Sequence, residues 1–170
     1  MYASPGAREA DIVAGITRPV DVILADLAEA SRRFIVEAAA YPTERWSNEV
    51  AFTSGGPNPA LVTAQQLVEL RLTEVEVHHV DLGVGYSFGA TPALLAGQLV
   101  ADFVERYDQR GVRFAIALDD HPGGAEWVKS ADSPVVRGSV AGALAWLTGR
   151  SAQGVRCASG GALPELPPFG

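Results

Sequence analysis

The sequence predicts an α+β protein in which a helical region, residues 1–110, is followed by a small α+β region, residues 111–170. Up to residue 110, apolar residues recur every three or four positions, which is the spacing of one face of a helix. After Gly111 the pieces "VRFAIALDD", "AEWVKS", "SPVVRGS" and "VRCAS" are short, apolar and partly β-branched, as strands typically are. The change in pattern therefore places a domain boundary near residue 110.

The helical region begins with "SPGAREADIVAG", in which Ser4 is the predicted N-cap, Pro5 the first helical residue and Gly15 the end. A second helix is predicted to run from there to Pro42, because proline cannot continue a helix. The turn-rich stretch after it contains one predicted extended piece, residues 49–53.

Two further helices complete this region. A long helix is predicted over residues 60–82 and ends at the glycine-rich "GVGYSFG". The next is predicted in "TPALLAGQLVADFVERYDQRG", with Thr91 as its cap and Gly111 beyond its end. In the last region "SVAGALAWLTGR" is predicted to be a compact apolar helix capped by Ser139.

The composition excludes several classes of function. The net charge is −7 and no block of Lys or Arg is present, so neither nucleic acid nor an anionic membrane surface is an expected partner. No apolar run approaches the length of a membrane span, and the N-terminus lacks the pattern of a signal peptide. The single cysteine, Cys157, excludes a disulfide framework and favours the reducing cytoplasm.

A stripe of polar residues in "ELRLTEVEVHHVDLG" is the strongest functional signal. At about 100° per residue, Arg71, Glu74, His78 and Asp81 fall within about 80° of one another on a helical wheel, with apolar neighbours on both sides. The opposite side, which carries Glu69, Glu76 and His79, is expected to face solvent. A polar stripe framed by apolar residues is expected to point into a bundle, where its groups need partners.

A divalent metal is one such partner. Glu74 and His78, at i and i+4, project from one face and can bind the same ion, with Arg71 or Asp81 orienting them. The pattern E-x-x-x-H alone is weak and occurs by chance in many helices, so by itself it favours a simple Glu–His ion pair.

The remaining candidates favour structural roles. His79 is expected on the surface, and His121, in "LDDHPGG", lies in a turn whose neighbouring residues rarely converge on one ion. Cys157 is interpreted as a small buried strand residue, because no histidine or basic helix terminus that would lower its pKa is visible beside it. "GVGYSFG" lacks the Lys-Ser/Thr of a phosphate-binding loop.

Three separated segments, "RLTEVEVHHVDLGVGY", "ALAWLTGR" and "GGALPELPPF", resemble the mycothiol-dependent maleylpyruvate isomerase family, and the opening "MYASPGAREADIVAG" resembles an internal stretch of it. The resemblance implies a DinB-like four-helix bundle that binds a divalent metal, usually zinc, followed by a small α+β domain. It places Glu74 and His78 at two metal-ligand positions and Arg150 at the position of a catalytic arginine. From the residues alone, the preferred interpretation of Arg150 is a cation that completes a helix C-terminus.

The resemblance also implies an upstream first helix that carries a third histidine ligand. No histidine precedes His78, so an incomplete bundle that lacks its first helix is expected. A start assigned too late, a truncation that has lost activity, and a partner chain that supplies the helix are the three explanations. An incomplete bundle would expose an apolar groove, which a homodimer could cover.

The reaction that the resemblance implies is isomerisation of maleylpyruvate to fumarylpyruvate. A thiolate of mycothiol would add to the conjugated double bond, giving an enolate that rotates and then expels the thiol. The metal would activate the thiol, directly or through a bound water, and Arg150 would hold a carboxylate or the enolate oxygen. The alternatives are another thiol-dependent DinB-like transferase and an inactive remnant that acts as a binding module.

Overall fold

The computed structural model of the chain describes residues 5–52, 60–121, 126–127 and 132–169. Its contacts divide the chain into two compact units, Met1–Leu70 and Arg71–Gly170. Helices dominate the first half of the chain and a small sheet lies in the second, so the predicted α+β class is confirmed. The domain boundary near residue 110 stays a prediction.

The first unit contains two helices and a hairpin. The helices are α1 (Pro5–Ile16) and α2 (Val20–Ala40), and the strands are β1 (Glu49–Phe52) and β2 (Ala60–Thr63). Helix α1 begins at Pro5 as predicted and ends one residue after Gly15. Two predicted positions lie outside the described residues: the cap Ser4, and Thr53, the last residue of the predicted extended piece. Strands β1 and β2 pair antiparallel, from Glu49 opposite Thr63 to Phe52 opposite Ala60.

The predicted start of the long helix is wrong by four residues. Residues 60–63 form β2, and helix α3 (Ala64–Asp81) begins only after it. The boundary is a capping box: the N–H of Gln66 donates to Oγ1 of Thr63 at 3.2 Å, and the N–H of Thr63 donates to Oε1 of Gln66 at 2.8 Å. These reciprocal bonds satisfy backbone donors that the first turn of a helix leaves unpaired.

In the described residues, the second unit contains the last turns of α3, two further α-helices and four strands. In chain order these are α4 (Ala93–Gln109), β3 (Ala115–Leu118), β4 (Glu126–Trp127), β5 (Val135–Gly138), α5 (Val140–Leu147) and β6 (Val155–Cys157). The sheet has the order β4-β3-β5-β6, with β3 and β5 parallel and the outer pairs antiparallel. The strands predicted in "SPVVRGS" and "VRCAS" are thus confirmed as β5 and β6. The strand predicted in "AEWVKS" is confirmed at Glu126–Trp127, and its other residues lie outside the described part of the chain. None of the described helices is both long and apolar enough to span a membrane.

The core of this unit lies between the two helices and the sheet. Strand β3 is buried along its whole length, as expected of a strand with neighbours on both edges and cover on both faces. Val100 of α4 and Leu144 of α5 are fully buried, and Trp146 packs edge-to-face on Phe114 at 5.0 Å. The C-terminal tail adds a border of half-buried residues to the same cluster, including Leu163, Leu166 and Phe169.

The two ends of α4 differ in how well they were predicted. Gly111 follows the helix with a φ of +80°, the left-handed conformation that glycine adopts at low cost. Thr91 was predicted to be the cap, and this is wrong, because the residue before the helix is Pro92 and no side chain caps the first turn. The Thr91 hydroxyl instead donates to Oε2 of Glu76 at 2.8 Å.

Helix α5 begins where the backbone of a turn approaches it closely. Ser139 is the cap, as predicted, and its Oγ accepts a hydrogen bond from the N–H of Gly142 at 3.1 Å. A Cβ on Gly142 would lie 2.7 Å from the carbonyl oxygen of Gly154, closer than real Cβ contacts allow. Glycine at this position therefore lets the turn before β6 pack against the helix.

Candidate functional site

The second unit buries one face of α3 and leaves the polar stripe outside. Thr73 and Val77 are 2% and 1% exposed, whereas the side chains of Glu74 and His78 are 57% and 62% exposed. The expectation that the stripe points into a core is therefore wrong within this unit. The helical wheel gave the right grouping of these residues but not the side that faces the core.

Glu74, His78 and Asp81 form one continuous set of contacts. Oε2 of Glu74 lies 3.2 Å from Nε2 of His78, and Oδ2 of Asp81 lies 3.0 Å from Nδ1 of the same ring. Each ring nitrogen therefore faces a different carboxylate. The positions i, i+4 and i+7 place these side chains along one face of the helix.

Asp81 also binds Arg150, which follows α5. Nε of Arg150 donates to Oδ1 of Asp81 at 3.0 Å, and Nη2 donates to Oδ2 at 2.7 Å, a bidentate arrangement. The hydrogen bonds from Arg150, together with a weaker contribution from His78, lower the pKa of Asp81 to about 2. The carboxylate is thus fully ionised at neutral pH.

The guanidinium of Arg150 has two further contacts. Nη1 donates to the carbonyl oxygen of Thr148 at 2.5 Å, and the guanidinium carbon lies 4.8 Å from the centre of the Phe169 ring, over its face. The side chain is 24% exposed. Arg150 therefore completes the end of α5, as the structural interpretation predicted, and also joins α3 and the C-terminal tail.

Glu74 and His78 alone are fewer protein ligands than a catalytic zinc ordinarily has. Among residues 5–52, 60–121, 126–127 and 132–169, no group of three His, Cys, Asp or Glu side chains could hold one ion. Nε2 of His78 and Oε2 of Glu74 nevertheless lie on the same side of the helix, and the other ring nitrogen contacts a carboxylate. Histidines that bind metals almost always have this second contact, so the pair fits a metal as far as two ligands can.

A second polar cluster lies on the side of α3 that was expected to face solvent. Glu76 is half-buried, and its Oε2 accepts hydrogen bonds from the hydroxyls of Tyr86 at 2.6 Å and Thr91 at 2.8 Å. The hydrogen bond to Glu76 raises the pKa of Tyr86, whose ring stacks on His79 at 3.8 Å. The prediction of solvent exposure is thus wrong for Glu76 and right for His79. This cluster could not be predicted from the sequence, because Tyr86 and Thr91 lie in the loop after the helix and no helical spacing relates them to Glu76.

His121 and Cys157 each have a defined local environment. Nε2 of His121 would be 2.6 Å from a Cβ on Gly97, and the histidine borders a small cavity of about 160 Å³ with Asp120 and Phe88. Cys157 is buried in β6 as predicted, and a hydrogen bond with the Ser159 hydroxyl at 3.1 Å lowers the pKa of its thiol.

Comparison with known proteins identifies the family. The model of the mycothiol maleylpyruvate isomerase N-terminal domain matches residues 1–83. The crystal structure of the mycothiol-dependent maleylpyruvate isomerase matches with a TM-score of 0.77 and 30% identity, over 99% of this chain and 69% of that chain. This chain belongs to the mycothiol-dependent maleylpyruvate isomerase family. The resemblance seen in the sequence is therefore confirmed.

A second solved structure, a mutant of that isomerase in which one histidine is replaced by alanine, matches with the same TM-score, identity and coverage. A comparison with curated protein sequences gave no match. Membership of the isomerase family and the contacts of Glu74, His78, Asp81 and Arg150 are the two observations from which a function can be argued.

Proposed function

We propose that this protein is a mycothiol-dependent isomerase that converts maleylpyruvate to fumarylpyruvate, with a divalent metal, zinc by family resemblance, bound by Glu74 and His78. The observation that carries the proposal is the pair formed by Oε2 of Glu74 and Nε2 of His78, 3.2 Å apart on one face of α3. A cation can bind between these two atoms. Two ligands from α3 leave the other positions of a four-coordinate metal for further groups.

The chemistry of the double bond comes from the thiol. When bound, mycothiol supplies a thiolate whose reversible addition makes the conjugated double bond single, lets it rotate and re-forms it on departure, with no net oxidation or reduction. A divalent cation lowers the pKa of a thiol or water bound to it. The residues of the chain hold these groups and balance their charge.

Arg150 is the proposed partner of the substrate anion. Its hydrogen bonds to Asp81 and Thr148 use three of its five N–H groups, one each on Nε, Nη1 and Nη2. One N–H on each Nη is left to bind a carboxylate or an oxygen that gains negative charge during the reaction. Because Asp81 already neutralises much of the arginine charge, the substrate is held mainly by these directed hydrogen bonds.

The cell compartment follows from the cofactor. A thiol cofactor acts in its reduced form, and the cytoplasm maintains thiols in that form, so we place the protein there. The acidic net charge of −7 agrees with small-molecule partners and gives no basic surface for nucleic acid. A homodimer that covers apolar surface of the helical region is part of the same proposal.

The test has a metal arm and an activity arm. The purified chain is expected to bind about one zinc per chain by elemental analysis and to lose it in the double variant Glu74→Ala/His78→Ala. His79→Ala is the matched control, because it removes the adjacent exposed histidine and is expected to retain the metal. Isomerisation of maleylpyruvate is followed with and without mycothiol.

The results separate the possible functions. Metal that depends on Glu74 and His78, with isomerisation that requires mycothiol, supports the proposal. Metal without isomerisation, but with mycothiol-dependent turnover of another electrophile, replaces the isomerase with a thiol transferase. A folded chain that has neither metal nor turnover contradicts the proposal and leaves a binding module.

A further inference from the structure

Asp81 is the residue that joins the two halves of the candidate site. Its Oδ2 lies 3.0 Å from Nδ1 of His78 and accepts from Nη2 of Arg150 at 2.7 Å, while Oδ1 accepts from Nε of Arg150 at 3.0 Å. The carboxylate thereby connects His78 of α3 with Arg150, which lies 69 positions after Asp81 in the chain. Both contacts lie within the second unit.

The contact with Asp81 decides which nitrogen of His78 is available. An ionised carboxylate only accepts hydrogen bonds, so the ring must donate an N–H from Nδ1. In the neutral ring the lone pair is then on Nε2, which is the atom that faces Glu74. Without the Asp81 carboxylate, Glu74 is the carboxylate that faces the ring, at 3.2 Å from Nε2, so part of the proton would move from Nδ1 to Nε2 and the two tautomers would mix.

The same carboxylate fixes the orientation of Arg150. A bidentate pair aligns the plane of the guanidinium with that of the carboxylate, and the bond to the carbonyl of Thr148 fixes its rotation further. The N–H groups that remain therefore have a defined direction. Loss of the bidentate pair would leave a long side chain with several rotamers.

We propose that Asp81 is a positioning residue that holds His78 in the tautomer able to bind a metal through Nε2 and, at the same time, directs Arg150 toward the substrate. The inference rests on the proposed metal site at Glu74 and His78 and names a further residue on which that site depends. It also predicts that Arg150, which does not bind the metal, influences metal affinity through Asp81.

The test compares Asp81→Asn and Arg150→Lys with a matched control. Asp119→Asn is suitable, because Asp119 lies 3.3 Å from Arg137 and 3.3 Å from Arg156, so it also bridges two cations but contacts no histidine ring in the described part of the chain. Zinc affinity is measured by competition with a chelator. We expect a loss of about 10- to 100-fold in Asp81→Asn, a smaller loss in Arg150→Lys, and no change in Asp119→Asn.

The second readout does not need metal or turnover. Long-range ¹H–¹⁵N spectra of the metal-free chain, recorded well above the ordinary histidine pKa of about 6.5, report the tautomer of each neutral ring. We expect His78 to carry its proton on Nδ1 in the natural chain, to show mixed tautomers in Asp81→Asn, and to be unchanged in Asp119→Asn. Arg150→Lys keeps the Asp81 carboxylate but removes its bidentate partner, so we expect a His78 spectrum between those of the natural chain and Asp81→Asn.

The outcomes separate this inference from the proposed function. The positioning role would be overturned if a folded Asp81→Asn variant kept both the zinc affinity and the His78 tautomer of the natural chain. A chain that binds no zinc, yet shows the expected change of tautomer, would overturn the metal function and support the role of Asp81 in orienting His78. If Asp81→Asn does not fold, Arg150→Lys decides, because its full zinc affinity and unshifted spectrum would contradict the link between Arg150 and His78.

Discussion

Phe169 is the residue through which the C-terminal tail contacts the candidate site. Its ring lies 5.7 Å from that of Phe103, in an edge-to-face arrangement, and one face is covered by the guanidinium of Arg150 at 4.8 Å. Replacement of Phe169 by leucine keeps a half-buried apolar side chain but removes the aromatic ring. The substitution therefore isolates the contribution of the ring from that of apolar burial.

The expected loss of stability follows from these two contacts. An aromatic pair contributes about 0.5–1.5 kcal/mol beyond the area it buries. A cation over an aromatic face at an accessible site adds about 0.5–1 kcal/mol. We expect Phe169→Leu to lower the free energy of unfolding of the second unit by about 1.5 kcal/mol, because leucine retains most of the hydrophobic contribution.

Urea unfolding followed by tryptophan fluorescence measures this loss. In a Trp46→Phe background the remaining tryptophans, Trp127 and Trp146, both belong to the second unit, so the signal reports that unit alone. A double-mutant cycle with Phe103→Leu isolates the ring–ring contribution, which is expected at about 1 kcal/mol.

The effect on Arg150 provides a second check of the same reasoning. A guanidinium that loses its aromatic contact is less well held, so the KM for substrate is expected to rise several-fold in Phe169→Leu while kcat changes little. A free energy of unfolding equal to that of the natural chain, with no coupling to Phe103, would refute the assignment of a stabilising role to the Phe169 ring.

Three further predictions concern the framework of the site. The Tyr107 hydroxyl donates to the buried carbonyl oxygen of Leu147 at 2.6 Å. The variant Tyr107→Phe leaves that carbonyl without its donor, so the free energy of unfolding should fall by about 1–3 kcal/mol. Burial raises the pKa of Tyr107, so the natural chain should lose stability as pH rises above the ordinary tyrosine pKa of about 10. An equal loss of stability with pH in Tyr107→Phe would contradict this assignment. Gly142→Ala places a Cβ 2.7 Å from the carbonyl oxygen of Gly154. Urea unfolding should show the second unit destabilised by about 1–3 kcal/mol, whereas an unchanged free energy of unfolding would mean that the turn can move away. Thr63→Ala removes the capping box and should lower the stability of the first unit by about 1 kcal/mol. The loss should appear as faster amide hydrogen exchange in the first turn of α3, and unchanged exchange would count against the cap.

Local signals in the sequence were sufficient for some elements and insufficient for others. Helix α5 could be predicted because Ser139 is a strong cap and the eight residues after it are almost uniformly apolar. Strand β2 was missed because it runs directly into the helix, with no glycine or proline between the two elements to mark a boundary. The T-x-x-Q pattern of Thr63 and Gln66 was the available signal for the true boundary, and it outweighs the propensity of the residues before it.

The candidate site could be predicted only within a single helix. The period of 3.6 residues groups Glu74, His78 and Asp81 without any knowledge of the rest of the chain. The contact between Asp81 and Arg150 joins residues 69 positions apart, and no periodicity connects them. Arg150 was singled out by resemblance alone, and its partner in α3 became visible only when the fold brought α5 beside that helix.

Two glutamates separated by one residue in α3 show why contacts, and not residue type, distinguish a metal ligand from a structural group. Glu76 accepts hydrogen bonds from the neutral hydroxyls of Tyr86 and Thr91 and lies half-buried, so a cation that displaced these donors would leave them unsatisfied. Glu74 is 57% exposed and contacts His78, a group that can exchange a proton for a metal ion. Binding at Glu74 therefore disrupts no other hydrogen bond in the described part of the chain, which makes it, of these two glutamates, the one suited to an exchangeable cation.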